Sequence, residues 1–414
     1  MNNSLEQRLS PVVRSLAPSG IRRFFDLASS MKDVISLGVG EPDFVTPWHV
    51  REACVDALER GHTSYTSNLG LLELRLAIAT YLERYGLAYN GHEEVLVTVG
   101  GSEAIDIALR TMLCAGDEVL IPEPAYVSYW PCTVLAGGVP VGITTSPEDG
   151  FRLTAAAVER AITPRTKVLV LCFPNNPTGA VMSAEELAPI AKVCVDHDLF
   201  VLSDEIYAEL TYGTRHVSIA SLLGMRERTV VIGGMSKAFA MTGWRIGYAA
   251  APESILRYMV RIHQYTIMCA PVMGQMAALE AIVNGDSEKE RMVQSYDQRR
   301  RLIVAGLRSI GLTCHEPHGA FYVFPDIRCT GLSSESFAEG LLREEQVAVV
   351  PGTAFGASGE GFVRCSYATS SAPIGVALER MQWVIRSYTL NNEHFIGSRL
   401  CSTNFSFALS YYCI

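Results

Sequence analysis

The chain has 414 residues, 49% of them apolar, and a formal net charge of −9. That length suits two domains of roughly 100–200 residues each with a sizeable core, and the acidic balance excludes a general nucleic-acid footprint while leaving room for a local anion site. Eleven scattered cysteines without C-x-x-C pairs, a charged and apolar-poor start, and no run of ~18 uncharged apolar residues predict a reduced, cytoplasmic protein with neither secretory signal nor membrane span.

Taken in order, residues 1–45 are expected to pack with a smaller domain formed near the other end of the chain. Residues 46–286 alternate strand and helix. Glu94–Val99 reads as a strand, Ser102–Leu113 as a helix and Glu118–Ile121 as a strand. Lys167–Phe173 (KVLVLCF) is nearly all apolar, as a strand buried on both faces should be. Ser183–His197 reads as a helix, with Ser183 and Glu186 spaced for a capping box. Leu199–Leu202, Thr229–Ile232 and Ile246–Ala250 read as strands. Strands separated by helices imply an α/β domain whose mainly parallel sheet is covered on both faces. Residues 287–388 change texture and predict a smaller α+β domain. Its helices are expected at Lys289–Ile310, 334–345 and 373–388, and its strands at 319–324, Val347–Val350 and Phe362–Tyr367. The tail, 389–414, has no charged residue after Arg399 and neither helical nor strand period, so it is expected to be poorly ordered.

Four segments carry chemistry. Ser236 and Lys237 follow the Thr229–Ile232 strand and a Gly-Gly turn, in a context of small and apolar residues. Burial there favours a neutral amine, which can form a Schiff base with an aldehyde. Arg245, eight residues on, offers a planar fork for a phosphate. Asp204 stands at the C-terminal end of an apolar strand, the edge where open α/β sheets bind ligands, and Tyr207 follows it. A carboxylate buried there needs a cation, and the protonated nitrogen of a pyridine ring is one. Asn176 lies in Pro174-Asn175-Asn176-Pro177-Thr178-Gly179, an irregular turn that leaves its amide free to donate. Gly100-Gly101-Ser102-Glu103 opens a helix, where free N–H groups can donate to a phosphate. It matches neither a dinucleotide fingerprint nor a P-loop. Each segment alone also has a plain structural reading: a surface lysine, a helix cap, an ordinary turn. In one chain, in the order glycine cradle, turn Asn, strand-end Asp, then Ser-Lys and Arg, they make a complete set of parts for one phosphorylated pyridine cofactor.

With N-P-T-G, S-D-E-I-Y, S-K-x-x-x-M-T-G-W-R and F-V-R-C-S-Y-A in sequence, residues 10–388 resemble the class I/II aminotransferases, fold type I of the pyridoxal-phosphate enzymes. The nearest likeness is to the bacterial branch with G-E-P-D-F near its start, which includes aspartate, aromatic and acetyl-diaminopimelate aminotransferases. The resemblance implies pyridoxal 5'-phosphate on Lys237, which also shuttles the proton. It implies Asp204 on the ring nitrogen, and Asn176 and Tyr207 on the phenolic oxygen. Gly101, Ser102, Ser236 and Arg245 fall at the phosphate, Glu103 beside them counts among the cofactor-binding residues, and Tyr126 is stacked on the ring. Arg364, Gly40 and Asn176 fall at the substrate, with Arg364 clamping its α-carboxylate. Tyr65 matches a tyrosine given to a neighbouring subunit's phosphate, which implies a homodimer. The implied reaction moves an amino group from an amino acid to a 2-oxo acid, 2-oxoglutarate first among them, in a ping-pong cycle. Relatives preferring aspartate carry a lysine where Ser102 stands, so strict aspartate preference is not expected unless Arg22 or Arg23 reaches the site. A C–S lyase and a non-catalytic ligand-sensing regulator are the competing readings.

Overall fold

The structure is a computed structural model that describes residues 3–397 except 19 and 30. An early short strand, β1 (Ile35–Ser36), precedes the main sheet. The main sheet is built from β2 (Val95–Thr98), β3 (Glu118–Glu123), β4 (Val139–Thr144), β5 (Thr166–Cys172), β6 (Phe200–Asp204), β7 (Thr229–Gly234) and β8 (Gly247–Ala250). These seven strands lie in the order β2-β8-β7-β6-β5-β3-β4. The run from β7 to β4 is parallel, and β8 is antiparallel to both of its neighbours, β2 and β7. The fold is therefore α/β with a mainly parallel sheet. The strand expected at Ile246–Ala250 exists, but reversed in direction.

Helices on both faces explain the apolar strands. Along β2, Val95 and Val97 pack with Leu74, Ile78, Ala277 and Ala278 of helices Leu72–Leu82 and Val272–Asn284. Leu96, pointing the other way, packs with Ala104, Ala108, Leu256 and Met259 of helices Gly100–Met112 and Glu253–Thr266. Period-two alternation thus serves two buried faces. Only β4, at the sheet edge, keeps exposed positions along its length.

The remaining strands are short. They are β9 (Thr313–Cys314), β10 (Tyr322–Val323), β11 (Pro325–Asp326), β12 (Val347–Ala348), β13 (Val350–Pro351) and β14 (Val363–Ser366). β14 lies antiparallel between β10 and β13, β11 pairs with β9, and β1 pairs in parallel with β12. They pack against helices Asp286–Ser309, Ser334–Glu345 and Ser371–Gly397 through Ile303, Leu307, Phe337, Ile374 and Met381.

Three expectations are corrected. The strand expected at Val347–Val350 is two strands in different sheets. The stretch expected as strand over 319–324 is extended only at Tyr322–Val323, because Ala320 turns through a positive φ of 56°. The last helix continues to Gly397, past the 388 boundary and through residues that showed no helical period. Residues 398–414 of the expected tail lie outside the described residues.

Candidate active site

The C-terminal ends of β5, β6 and β7 and the first turn of helix Gly100–Met112 converge on one cavity of about 270 Å³. Its lining includes Gly40, Gly101, Ser102, Tyr126, Asn176, Asp204, Tyr207, Ser236, Lys237, Arg245 and Arg364. Eleven of the thirteen residues singled out in the sequence therefore meet in one place.

Lys237 is the third residue of a short helix, Met235–Ala238, that follows the end of β7. Its Nζ donates to the Gly40 carbonyl at 2.6 Å. Burial lowers the amine to about 8, with the nearby Glu41 charge opposing. Asp204 ends β6 and is 5% exposed. Burial raises its carboxyl to about 6, against the hydroxyl of Tyr129, which donates to Oδ2 at 2.7 Å. The Ile206 N–H donates to the other oxygen at 3.2 Å. Among the described residues no basic side chain is hydrogen-bonded to this carboxylate, although the Lys237 charge acts on it from nearby.

Arg364, in β14, is 2% exposed. It donates to Asn176 Oδ1 at 2.9 Å and to the Gly38 carbonyl at 2.7 Å, while its buried Nε has no partner among the described residues. Its guanidinium lies 4.3 Å from the centre of the Tyr322 ring. Because Oδ1 of Asn176 is taken, its Nδ2 is left as the donor toward the cavity.

At one end of the cavity the backbone comes close to a side chain. Gly100 has φ +73°, and a Cβ there would collide with the Arg245 guanidinium. Arg245 is exposed and holds the Thr242 carbonyl at 3.0 Å. The helix begins at Gly100 rather than Ser102, so Gly101 and Ser102 supply first-turn N–H groups that no helical carbonyl takes. Arg245, Lys237 and Arg364 against Asp204 give the cavity an excess of positive charge suited to an anionic ligand with one cationic point.

Two sequence candidates stand elsewhere. Glu103 turns away from the cavity, accepting from the Val99 N–H at 2.5 Å and pairing with buried His263 Nδ1 at 2.5 Å. Its position in the first turn fixes the helix start. Tyr65 is 80% exposed and does not line the cavity. The side chains of Arg22 and Arg23 lie outside the described residues, although neighbouring Ile21 lines the cavity. Tyr129 and Tyr322 had been given no role. Tyr129 lies three residues after Tyr126 and Tyr322 beside the Gly319-Ala320-Phe321 turn, positions that single them out only once the strands are paired.

Residues 32–381 match the family model for aminotransferase class I and II. The chain belongs to the class I and II aminotransferases. It is 56% identical, over 92% of its length and 99% of theirs, to YugH of Bacillus subtilis, to which an aminotransferase activity has been ascribed. Among solved structures it is similar to an aromatic aminotransferase from Pyrococcus horikoshii (46% identity, TM-score 0.85, 89% and 100% of the chains covered). It is also similar to an aspartate aminotransferase from Thermus thermophilus crystallised with maleate (42%, TM-score 0.88, 91% and 99%). As an aminotransferase of this family the chain transfers amino groups. Among the described residues no helix is long and apolar enough to cross a membrane.

Proposed function

We propose that this aminotransferase holds pyridoxal 5'-phosphate on Lys237 and moves the α-amino group of an amino acid to a 2-oxo acid, with 2-oxoglutarate as the expected acceptor. One observation carries the reading: a half-buried lysine whose amine is lowered to about 8 shares a cavity with a buried aspartate that has no basic partner hydrogen-bonded among the described residues. The residues fit the cofactor by charge and shape. Asp204 suits a protonated ring nitrogen, and the cradle of Gly101, Ser102, Ser236 and Arg245 suits a phosphate. Tyr126 offers a ring face, and Asn176 Nδ2 and the Tyr207 hydroxyl suit a phenolic oxygen.

When bound, the cofactor supplies a conjugated ring that accepts electrons as the α-proton leaves. The chain does the rest. Arg364 pins the substrate carboxylate through a planar fork, and its unpartnered Nε gives it a donor to spare. Once the substrate's amino group has displaced it, the freed Lys237 Nζ would take the proton from the substrate α-carbon and give it up again later in the transfer. Asp204 keeps the ring nitrogen positive. The two half-reactions share one site, which predicts ping-pong kinetics.

Tyr65 is exposed, as a tyrosine that serves a partner subunit's phosphate would be, which supports a homodimer. The described cysteines are free, in keeping with a cytoplasmic setting. Relatives are named for both aspartate and aromatic substrates. With Ser102 at the cradle, a strict aspartate preference is not expected here.

The test mixes purified protein, pyridoxal 5'-phosphate, an amino acid and 2-oxoglutarate. Glutamate formation with a visible absorption band is expected, and Lys237→Ala should lose both. Pyruvate and ammonia released from a cysteine thioether, without glutamate, would favour a lyase instead.

A further inference from the structure

Tyr322 lies at the junction of three site residues. It is 1% exposed and sits in β10, whose partner β14 carries Arg364. Its ring lies under the Arg364 guanidinium at 4.3 Å. Its hydroxyl is 2.8 Å from the hydroxyl of Tyr207, which follows β6 in the main sheet. Gly40 leaves room for that hydroxyl, since a Cβ there would run into it. A phenylalanine would fill the same ring position, so the hydroxyl needs its own explanation.

Each hydroxyl has one proton. When Tyr207 gives its proton to a ligand oxygen, its own oxygen is left to accept, and Tyr322 is the donor within reach. A hydroxyl that accepts on one side donates more strongly on the other. We infer that Tyr322 is a positioning residue that orients and strengthens the hydrogen bond from Tyr207 to the cofactor's phenolic oxygen, while its ring supports the arginine that binds the substrate carboxylate. Recognition of the substrate and the electronics of the cofactor then pass through one side chain. The inference rests on the proposed cofactor reading.

A hydrogen bond donated to the phenolic oxygen favours the form in which that oxygen bears its full negative charge. Weakening the bond therefore moves the pH midpoint of the bound cofactor's visible band upward. Tyr322→Phe is expected to raise that midpoint by about half a pH unit, the size for one link of a short chain. Because Phe keeps a ring beneath Arg364, KM for the amino acid should change less than about twofold. Tyr207→Phe is expected to raise the midpoint further, and adding Tyr322→Phe to it should change nothing more. An unchanged midpoint in Tyr322→Phe, or shifts that add in the double variant, would overturn the relay. A wild-type protein with no visible band to titrate would remove the cofactor reading itself and the relay with it, an outcome distinct from a band that ignores Tyr322.

Discussion

At Arg364 the planar fork matters more than the charge. Its nitrogens hold a side-chain amide and a backbone carbonyl, and one remains for a ligand. Lysine at that position keeps the charge and loses the fork. We expect Arg364→Lys to lower kcat/KM about a hundredfold, carried mainly by KM, in a steady-state assay with any accepted amino acid. Residues of this kind were legible in the sequence because chemistry at the end of a strand needs rare types, such as a lysine or an aspartate, inside apolar runs. Tyr129 and Tyr322 were not, because a buried tyrosine reads as core until its hydroxyl is seen to have a partner. Glu103 illustrates the reverse. Its acidic place in a first turn looked like part of a ligand site and turned out to serve Val99 and His263.

At the level of elements, local signals worked where the backbone itself has a need. Ser183 caps helix Ala184–Asp196 and Glu186 returns the bond, a complete capping box. Ser183→Ala should cost about 1 kcal/mol, read as a lower denaturant midpoint with unchanged slope. Direction within the sheet had no such signal. An apolar tetrapeptide such as Gly247–Ala250 is equally content parallel or antiparallel, and only tertiary pairing with β2 and β7 decides. The division of 347–351 between two sheets was hidden for the same reason, since every residue in it is buried.

For the whole molecule, the site is held at the expense of stability. The folded value of Lys237, about 8, lies below its ordinary 10.5. The unfolded chain therefore binds more protons between those values, and stability rises with pH across that window. Asp204 has a folded value of about 6 against an ordinary 3.8. There the folded chain binds more protons, and stability falls as pH rises from 3.8 to about 6. Cofactor-free Lys237→Ala should melt above wild type at pH 7, with the gap closing toward pH 10.5. Cofactor-free Asp204→Asn should also melt above wild type at pH 7, with the gap closing toward pH 3.8. Thermal scans across pH check both. Adding pyridoxal 5'-phosphate to wild type should raise its melting temperature, by the equivalent of about 2.7 kcal/mol at a hundredfold excess over Kd. The reversed β8 has a consequence for how this chain can change over time. A strand running against its neighbours begins where they finish, so the chain reaches the cavity at Lys237, crosses the rim and delivers Arg245 without traversing the sheet. The bridge between amine and guanidinium is consequently a ruler of set length. Insertions that surface loops elsewhere absorb would here pull the two ends of a single small molecule out of step, so length variation is expected at almost any other turn before it is tolerated between Met235 and Ile246.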